Sequence, residues 1–251
     1  TTAATLLGAE QARAIVLVDN FDLDYSSGDL TRDGDTDLRD DPSSNDNNIL
    51  GGERDTNYNE TPDLASDGST SAGFDITGDQ ILRLSATDFP TQTSTVELTY
   101  DGNDDSINFN NAGLGGDGNG IDFLQLDTSN PNNGLKFQVF SADGGNLDVE
   151  LFSNGGADTA TVDSSLNGTS DLFFAFNSGF TGQSDGTFTS DPNFDFEDIS
   201  AVRIELETVG DSLGLEAFGS TPDRDSTLDP VDSTAVPFEA EHSVGFGFLL
   251  A

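Results

Sequence analysis

Val202, Ile204 and Leu206 alternate with Arg203, Glu205 and Glu207, and Val96, Leu98 and Tyr100 alternate with Glu97 and Thr99. A period of two places successive side chains on opposite faces of an extended chain, so each run specifies a strand with one buried and one wet face. Away from its ends the chain sustains no apolar period of 3.6, which leaves an all-β fold. IVLVDNFD, residues 15–22, reads as a buried strand ending in two acids. Residues 74–88 supply two strands around Thr77-Gly78-Asp79, and residues 159–162 and 172–176 supply two more. The gly pair in Ile49-Leu50-Gly51-Gly52-Glu53-Arg54-Asp55, where another strand region opens, marks a bulge or a close backbone approach. The clearest hairpin signal joins 136–141 to 147–152 through Ala142-Asp143-Gly144-Gly145-Asn146. About nine to twelve short strands at this spacing make a single antiparallel β-sandwich, jelly-roll-like, with long acidic loops. A propeller or solenoid would need a fixed internal period, and none is present.

The charge narrows the partners. Eight Lys and Arg stand against 47 Asp and Glu, a formal net charge of -39, which repels nucleic acid. Nineteen Phe spaced among Val, Ile and Leu supply a core, so the acidity does not signal disorder. Asp outnumbers Glu roughly three to one; Asp forms turns and caps, and its short carboxylate suits hard cations. With no Cys, one His (His242) and one Lys (Lys136), disulfides, thiol chemistry, Ser-His-Asp catalysis and Schiff-base chemistry fall away. Carboxylates alone would have to do any catalysis. Two of them at about 5–9.5 Å suffice for glycoside hydrolysis. No pair among the 47 stands out, and the expectation is a protein that is not an enzyme.

The most acidic loop runs from Asp24 to Asn48, but the candidate binding stretch is Tyr100–Asp127, which packs glycines and carboxylates between two strands. Ca²⁺ takes six to eight oxygens, and glycines let a chain wrap closely enough to offer carbonyls. The candidate ligands are Asp101, Asp104, Asp105, Asp117 and Asp122, with Asp19 and Asp22 closing the site if the first strand runs alongside. Within the 24–48 loop, Asp33-Gly34-Asp35-Thr36-Asp37 begins like an EF-hand loop but has Leu38 and Ser44 where that motif needs Gly and Glu. For glycan binding, Trp is absent and Tyr is limited to Tyr25, Tyr58 and Tyr100, while most Phe read as core.

The ends carry separate expectations. Residues 1–14 read as the remnant of a secretory leader, with Ala12-Arg13-Ala14 as the cleavage signature and Ile15 as the mature start, or as an N-terminal extension. Residues 15–219 form the sandwich domain, and residues 220–251 a Pro/Asp-rich spacer with an apolar tail. The tail from Val244 is too short to span a bilayer, so membrane contact would need an anchor following residue 251. Apolar ends of this kind can add as strands to a neighbour's sheet, and repeated head-to-tail contacts give a filament.

Val18-Asp19-Asn20-Phe21 followed by Leu50-Gly51-Gly52-Glu53-Arg54-Asp55, then Tyr100-Asp101-Gly102 to Gly113-Leu114-Gly115-Gly116-Asp117, then Val236-Pro237-Phe238-Glu239 resemble secreted bacterial proteins of the PEP-CTERM class, in its PFE-type variant. The resemblance implies export through the inner membrane, residence at the cell surface or in the extracellular matrix, and a jelly-roll body similar to carbohydrate-binding modules. The expectation is then a structural or adhesive surface protein, calcium-stabilised and self-assembling. The alternative is a monomeric, calcium-dependent module that binds extracellular polysaccharide.

Overall fold

The alternation in the sequence becomes burial in the computed structural model, which describes residues 16–21, 36–40, 49–52, 54–61, 72–77, 81–86, 93–102, 109–114, 120–121, 123, 133–168, 171–177, 183–210, 212–221, 224–225 and 228. Its strands are β1 (Val16–Asp19), β2 (Thr36–Asp40), β3 (Arg54–Thr61), β4 (Ala72–Thr77), β5 (Ile81–Ala86), β6 (Thr93–Tyr100), β7 (Gly134–Ala142), β8 (Asn146–Ser153), β9 (Asp158–Ser165), β10 (Leu172–Ala175), β11 (Gly186–Thr187), β12 (Thr189–Ser190), β13 (Ile199–Val209) and β14 (Ser212–Thr221). In β6 and β13 the apolar alternates are buried and Glu97, Arg203, Glu205 and Glu207 are half-exposed on the other face.

Two sheets result. The first runs β11-β10-β7-β14-β5-β4 and the second β12-β9-β8-β13-β6-β3-β2. One edge of β14 follows β7; the other is shared, with Ser212–Leu215 taking β5 and the end of the strand taking β1. All pairs are antiparallel except β10 with β11. One buried cluster draws Leu84, Phe137, Leu215 and Phe218 from the first sheet and Val96, Leu98, Val149 and Ile204 from the second. Two sheets sharing one core in this way are an all-β sandwich. The chain changes sheet repeatedly, at β1/β2, β3/β4, β5/β6, β6/β7, β7/β8, β9/β10, β11/β12 and β13/β14, which is the winding a jelly roll requires.

The expected hairpin at 142–146 is corrected by this topology: β7 lies in the first sheet and β8 in the second, and they do not pair. Residues 143–145 form an arch, tied by Asp143 N–H to the Ser212 carbonyl at 3.1 Å and by the Thr208 hydroxyl to the Gly144 carbonyl at 3.0 Å. An alternating run, a turn and a second alternating run describe a hairpin and an arch equally well, because an arch merely turns the two apolar faces toward each other. The expected turn at Thr77-Gly78-Asp79 does join paired strands, β4 and β5. The glycines at 51–52 lie in a short 3-10 turn, Leu50–Gly52, before β3.

β14 continues to Thr221, two residues into the stretch expected to begin a spacer. Beyond it the Arg224 guanidinium reaches the Asp185 carboxylate at 2.6 Å and the Asp171 carbonyl at 2.8 Å, and Leu228 is buried. Lys136 is buried and pairs with Asp171 at 3.0 Å. Residues 1–15 and 229–251 lie outside the described residues, so the leader and tail expectations do too. Among the described residues no helix is long and apolar enough to cross a membrane.

Candidate functional site

The end of β6 delivers Tyr100 and Asp101 to the rim of the sandwich, where residues 109–114 and 120–121 close over the start of β13. Leu114 N–H donates to the Ser200 carbonyl at 2.8 Å, the Ser200 hydroxyl donates to the Asn111 carbonyl at 2.8 Å, and Ile121 and Ile199 exchange backbone hydrogen bonds at 2.8 and 2.9 Å. The Asp101 carboxylate accepts the N–H of Asn110 at 2.5 Å. The backbones touch so closely that a Cβ at Gly113 would stand 1.6 Å from the Asp101 carbonyl oxygen. Gly102, at φ +94, faces the Gly113 carbonyl in return. The glycines of this stretch are therefore contact points between crossing backbones.

Beneath this cap lies a fully buried ion pair. Asp19, at the end of β1, takes the Arg54 guanidinium on Oδ2 at 2.5 Å, and both side chains are 0% exposed. The same oxygen accepts the Tyr100 hydroxyl at 2.8 Å, and Oδ1 accepts Phe21 N–H at 2.7 Å. Arg54 also lies over the Phe21 ring, 5.6 Å from its centroid. Burial first, and the Asp19 charge second, push the Tyr100 phenol well above its usual 10.0, so Tyr100 stays a hydrogen-bond donor.

Of the seven expected calcium ligands, Asp19 and Asp101 are described, and Asp22, Asp104, Asp105, Asp117 and Asp122 lie outside the described residues. β1 pairs with β14 of the first sheet and not with β6, and Asp19 meets the end of β6 through the Tyr100 hydroxyl. The cation meeting Asp19 is the Arg54 guanidinium, and Asp101 holds a backbone N–H. Among the described residues no group of three or more His, Asp or Glu side chains is arranged to hold a metal ion. Asp37 lies within β2, paired with Asn57 of β3.

The same cap carries a feature that periodicity could not reveal. Phe109 is 36% exposed, and its ring sits 4.9 Å, centroid to centroid, from Phe152 on the outer face of β8. The Arg203 guanidinium lies 5.3 Å from the Phe109 centroid and 5.7 Å from that of Phe152. Glu150 binds Arg203 directly, and Glu97 stands 4.0 Å from its Nε. The exposed Phe109 ring, tilted 57° against the buried Phe152 ring and flanked by a guanidinium held between two carboxylates, makes a small, partly apolar platform with donors and acceptors at its edge.

Next to the platform an acidic row crosses four strands in register: Glu97 faces Glu205, Glu205 faces Asp148, and Asp148 faces Asp163. Glu205 is raised from its ordinary value of 4.5, by burial first and then by Glu97 and Asp148. Asp148 is raised from 3.8, by burial and then by Asp163. Like charges directly opposite on one face repel, so this face is unfavourable for any polyanion.

Fold and cap together define a two-sheet β-sandwich with a rim-mounted aromatic platform. No protein-family model matches the chain, and no curated protein matches it. Among solved structures it is similar to PfGH50B (TM-score 0.36, 12% identical, covering 71% of this chain and 23% of that one). It is also similar to the agarase AgWH50C (0.33, 14%, 64% and 23%) and to an exo-beta-agarase (0.39, 9%, 86% and 26%). The chain thus spans about a quarter of each of these proteins. Likenesses this remote carry no argument about what the chain does.

Proposed function

We propose that this chain is a non-catalytic, extracellular module that binds neutral polysaccharide across the outer face of its second sheet. The observation that carries the reading is the exposed Phe109 ring held on Phe152 and Arg203. An aromatic face stacks on the C–H face of a pyranose, and the clamped guanidinium and carboxylates can take its hydroxyls. The acidic row alongside disfavours uronic acids and sulfated sugars, which makes the ligand neutral. A cell-surface or matrix address, as the PEP-CTERM resemblance implies, belongs to the same proposal.

The test is native affinity electrophoresis through gels containing soluble β-glucan, galactomannan or dextran, with alginate as the polyanion. Retardation in at least one neutral gel, weakened or lost in Phe109→Ala with the circular dichroism spectrum preserved, supports the reading. Equal mobility in every gel, or retardation by alginate alone, overturns it.

Self-assembly into filaments would rest on the end segments outside the described residues; β1 itself is paired with β14 of its own chain. Calcium stabilisation is carried forward on the carboxylates outside the described residues. Melting with and without excess chelator decides it: a lowered transition supports bound metal, and coincident transitions remove it.

A further inference from the structure

Among the described residues the exposed large apolar side chains are Phe109, Phe140 and Val209. Both phenylalanines carry an arginine. Arg83 lies 5.9 Å from the Phe140 centroid, much as Arg203 lies 5.3 Å from that of Phe109. The chain has only eight Lys and Arg, so two exposed rings each meeting one is an economical use of scarce cations.

The backbone is shaped to present Phe140. On β14, Gly214 faces Ser141 and Leu215 faces Val139, so Phe140 is the extra residue of a bulge in β7. Bulges re-aim a side chain out of the ladder. Phe140 emerges on the face opposite the core residue Val139 and is 46% exposed. Across the ladder the ring lies beside Gly214: a Cβ there would come within ordinary contact, 3.5 Å, of Phe140 Cδ1. The ring thus borders Gly214 while nearly half of the residue meets water. Arg83 stands opposite Gly214 on β5, flanked by the core residues Leu82 and Leu84, which puts it on the same outer face.

We infer that Phe140 and Arg83 form a second platform for neutral polysaccharide, on the outer face of the first sheet, and that the chain is a bivalent cross-linker. The inference rests on the reading proposed for Phe109. The two platforms lie on opposite outer faces of a sandwich whose sheets stack about 10 Å apart. Rings facing away from each other engage two polysaccharide chains, so the second site links strands and does not add avidity on one strand.

The test mixes protein with whichever soluble neutral polysaccharide retards it and follows turbidity and viscosity against the molar ratio. Wild type is expected to show a maximum at intermediate ratio, the mark of bivalency. Phe140→Ala and Phe109→Ala are each expected to remain retarded in the gel, with weaker retardation, and to lose the maximum. The double variant loses both signals. Phe140→Leu keeps Gly214 covered without an aromatic face and must behave as Phe140→Ala, which separates ligand stacking from cover for the strand. Cross-linking by Phe140→Ala or Phe140→Leu equal to wild type overturns the second platform and leaves the Phe109 reading intact. Loss of retardation in every neutral gel by wild type overturns both.

Discussion

Replacing Arg54 with Met leaves the Asp19 carboxylate buried with its counter-charge gone. The pair is 0% exposed on both sides and meets at 2.5 Å, so no water screens the loss. Removing one partner of such a pair costs about 3–5 kcal/mol, because the remaining charge is stranded. At about 2–4 °C per kcal/mol for a chain of this size, the melting point should fall by about 6–20 °C. Asp19→Asn, which keeps an acceptor for Phe21 N–H, takes away the carboxylate that meets Arg54 at 2.5 Å and should also destabilise. The double variant Asp19→Asn/Arg54→Met strands neither, and its cost should fall well short of the sum, with a coupling of about 3 kcal/mol or more. Tyr100→Phe removes only the hydroxyl donated to Asp19, a bond to a charged acceptor worth about 1.5–3 kcal/mol. Its raised phenol adds a pH signature. That contribution is fully present below about pH 10 and lost as pH rises through the folded-state value, so wild type should weaken in strong alkali more steeply than Tyr100→Phe. Urea titrations followed by far-ultraviolet circular dichroism read all four variants. Additive single costs, or an Arg54→Met cost below about 1 kcal/mol, would refute the reasoning.

The acidic row predicts the opposite sign: Glu205→Gln removes a carboxylate with like charges directly opposite on both sides and should stabilise by about 0.5–1 kcal/mol at neutral pH. Because the Glu205 pKa is raised, its burden is absent below the ordinary value near 4.5 and grows as pH rises, so thermal melts should show the advantage of Glu205→Gln vanishing toward pH 4. Gly113→Ala drives a methyl into the Asp101 carbonyl and should cost more than about 2 kcal/mol in a urea titration. Gly168→Ala, with φ +88 but nothing within 4 Å, should cost only about 1 kcal/mol.

Local pattern was legible wherever a residue's fate depended on its neighbours in sequence. Val96, Leu98, Val202, Ile204 and Leu206 announce their own burial, and Gly51 and Gly113 announce close approach. Sheet membership was not legible, since Ala142–Asn146 carries the same residues whether it folds as a hairpin or an arch. The acid ending the first strand was visible, but its partners Arg54 and Tyr100 come from 35 and 81 residues away, and no spacing rule connects them. Phe109 went unmarked for a different reason. It stands in Ile107-Asn108-Phe109-Asn110-Asn111, an alternation too short to specify a strand, and reading most phenylalanines as core hid that this one, outside the strands, had none to serve. An aromatic stranded among amides is the signal that would have found it.

The pairing of β1 with β14 also sets how the molecule bears load. The strands are antiparallel, with Val16 opposite Ser220, so the described chain begins and ends its sheet at the same corner. Tension applied between those two points opens the ladder like a zipper, one hydrogen-bonded pair at a time, where a shear geometry would strain all of them together. Peeling then arrives at Asp19, which is bolted through Arg54 and Tyr100 to the other sheet. A domain tethered at both of those points would give way softly over one short strand and then lock, a mechanical fuse set by a single buried carboxylate.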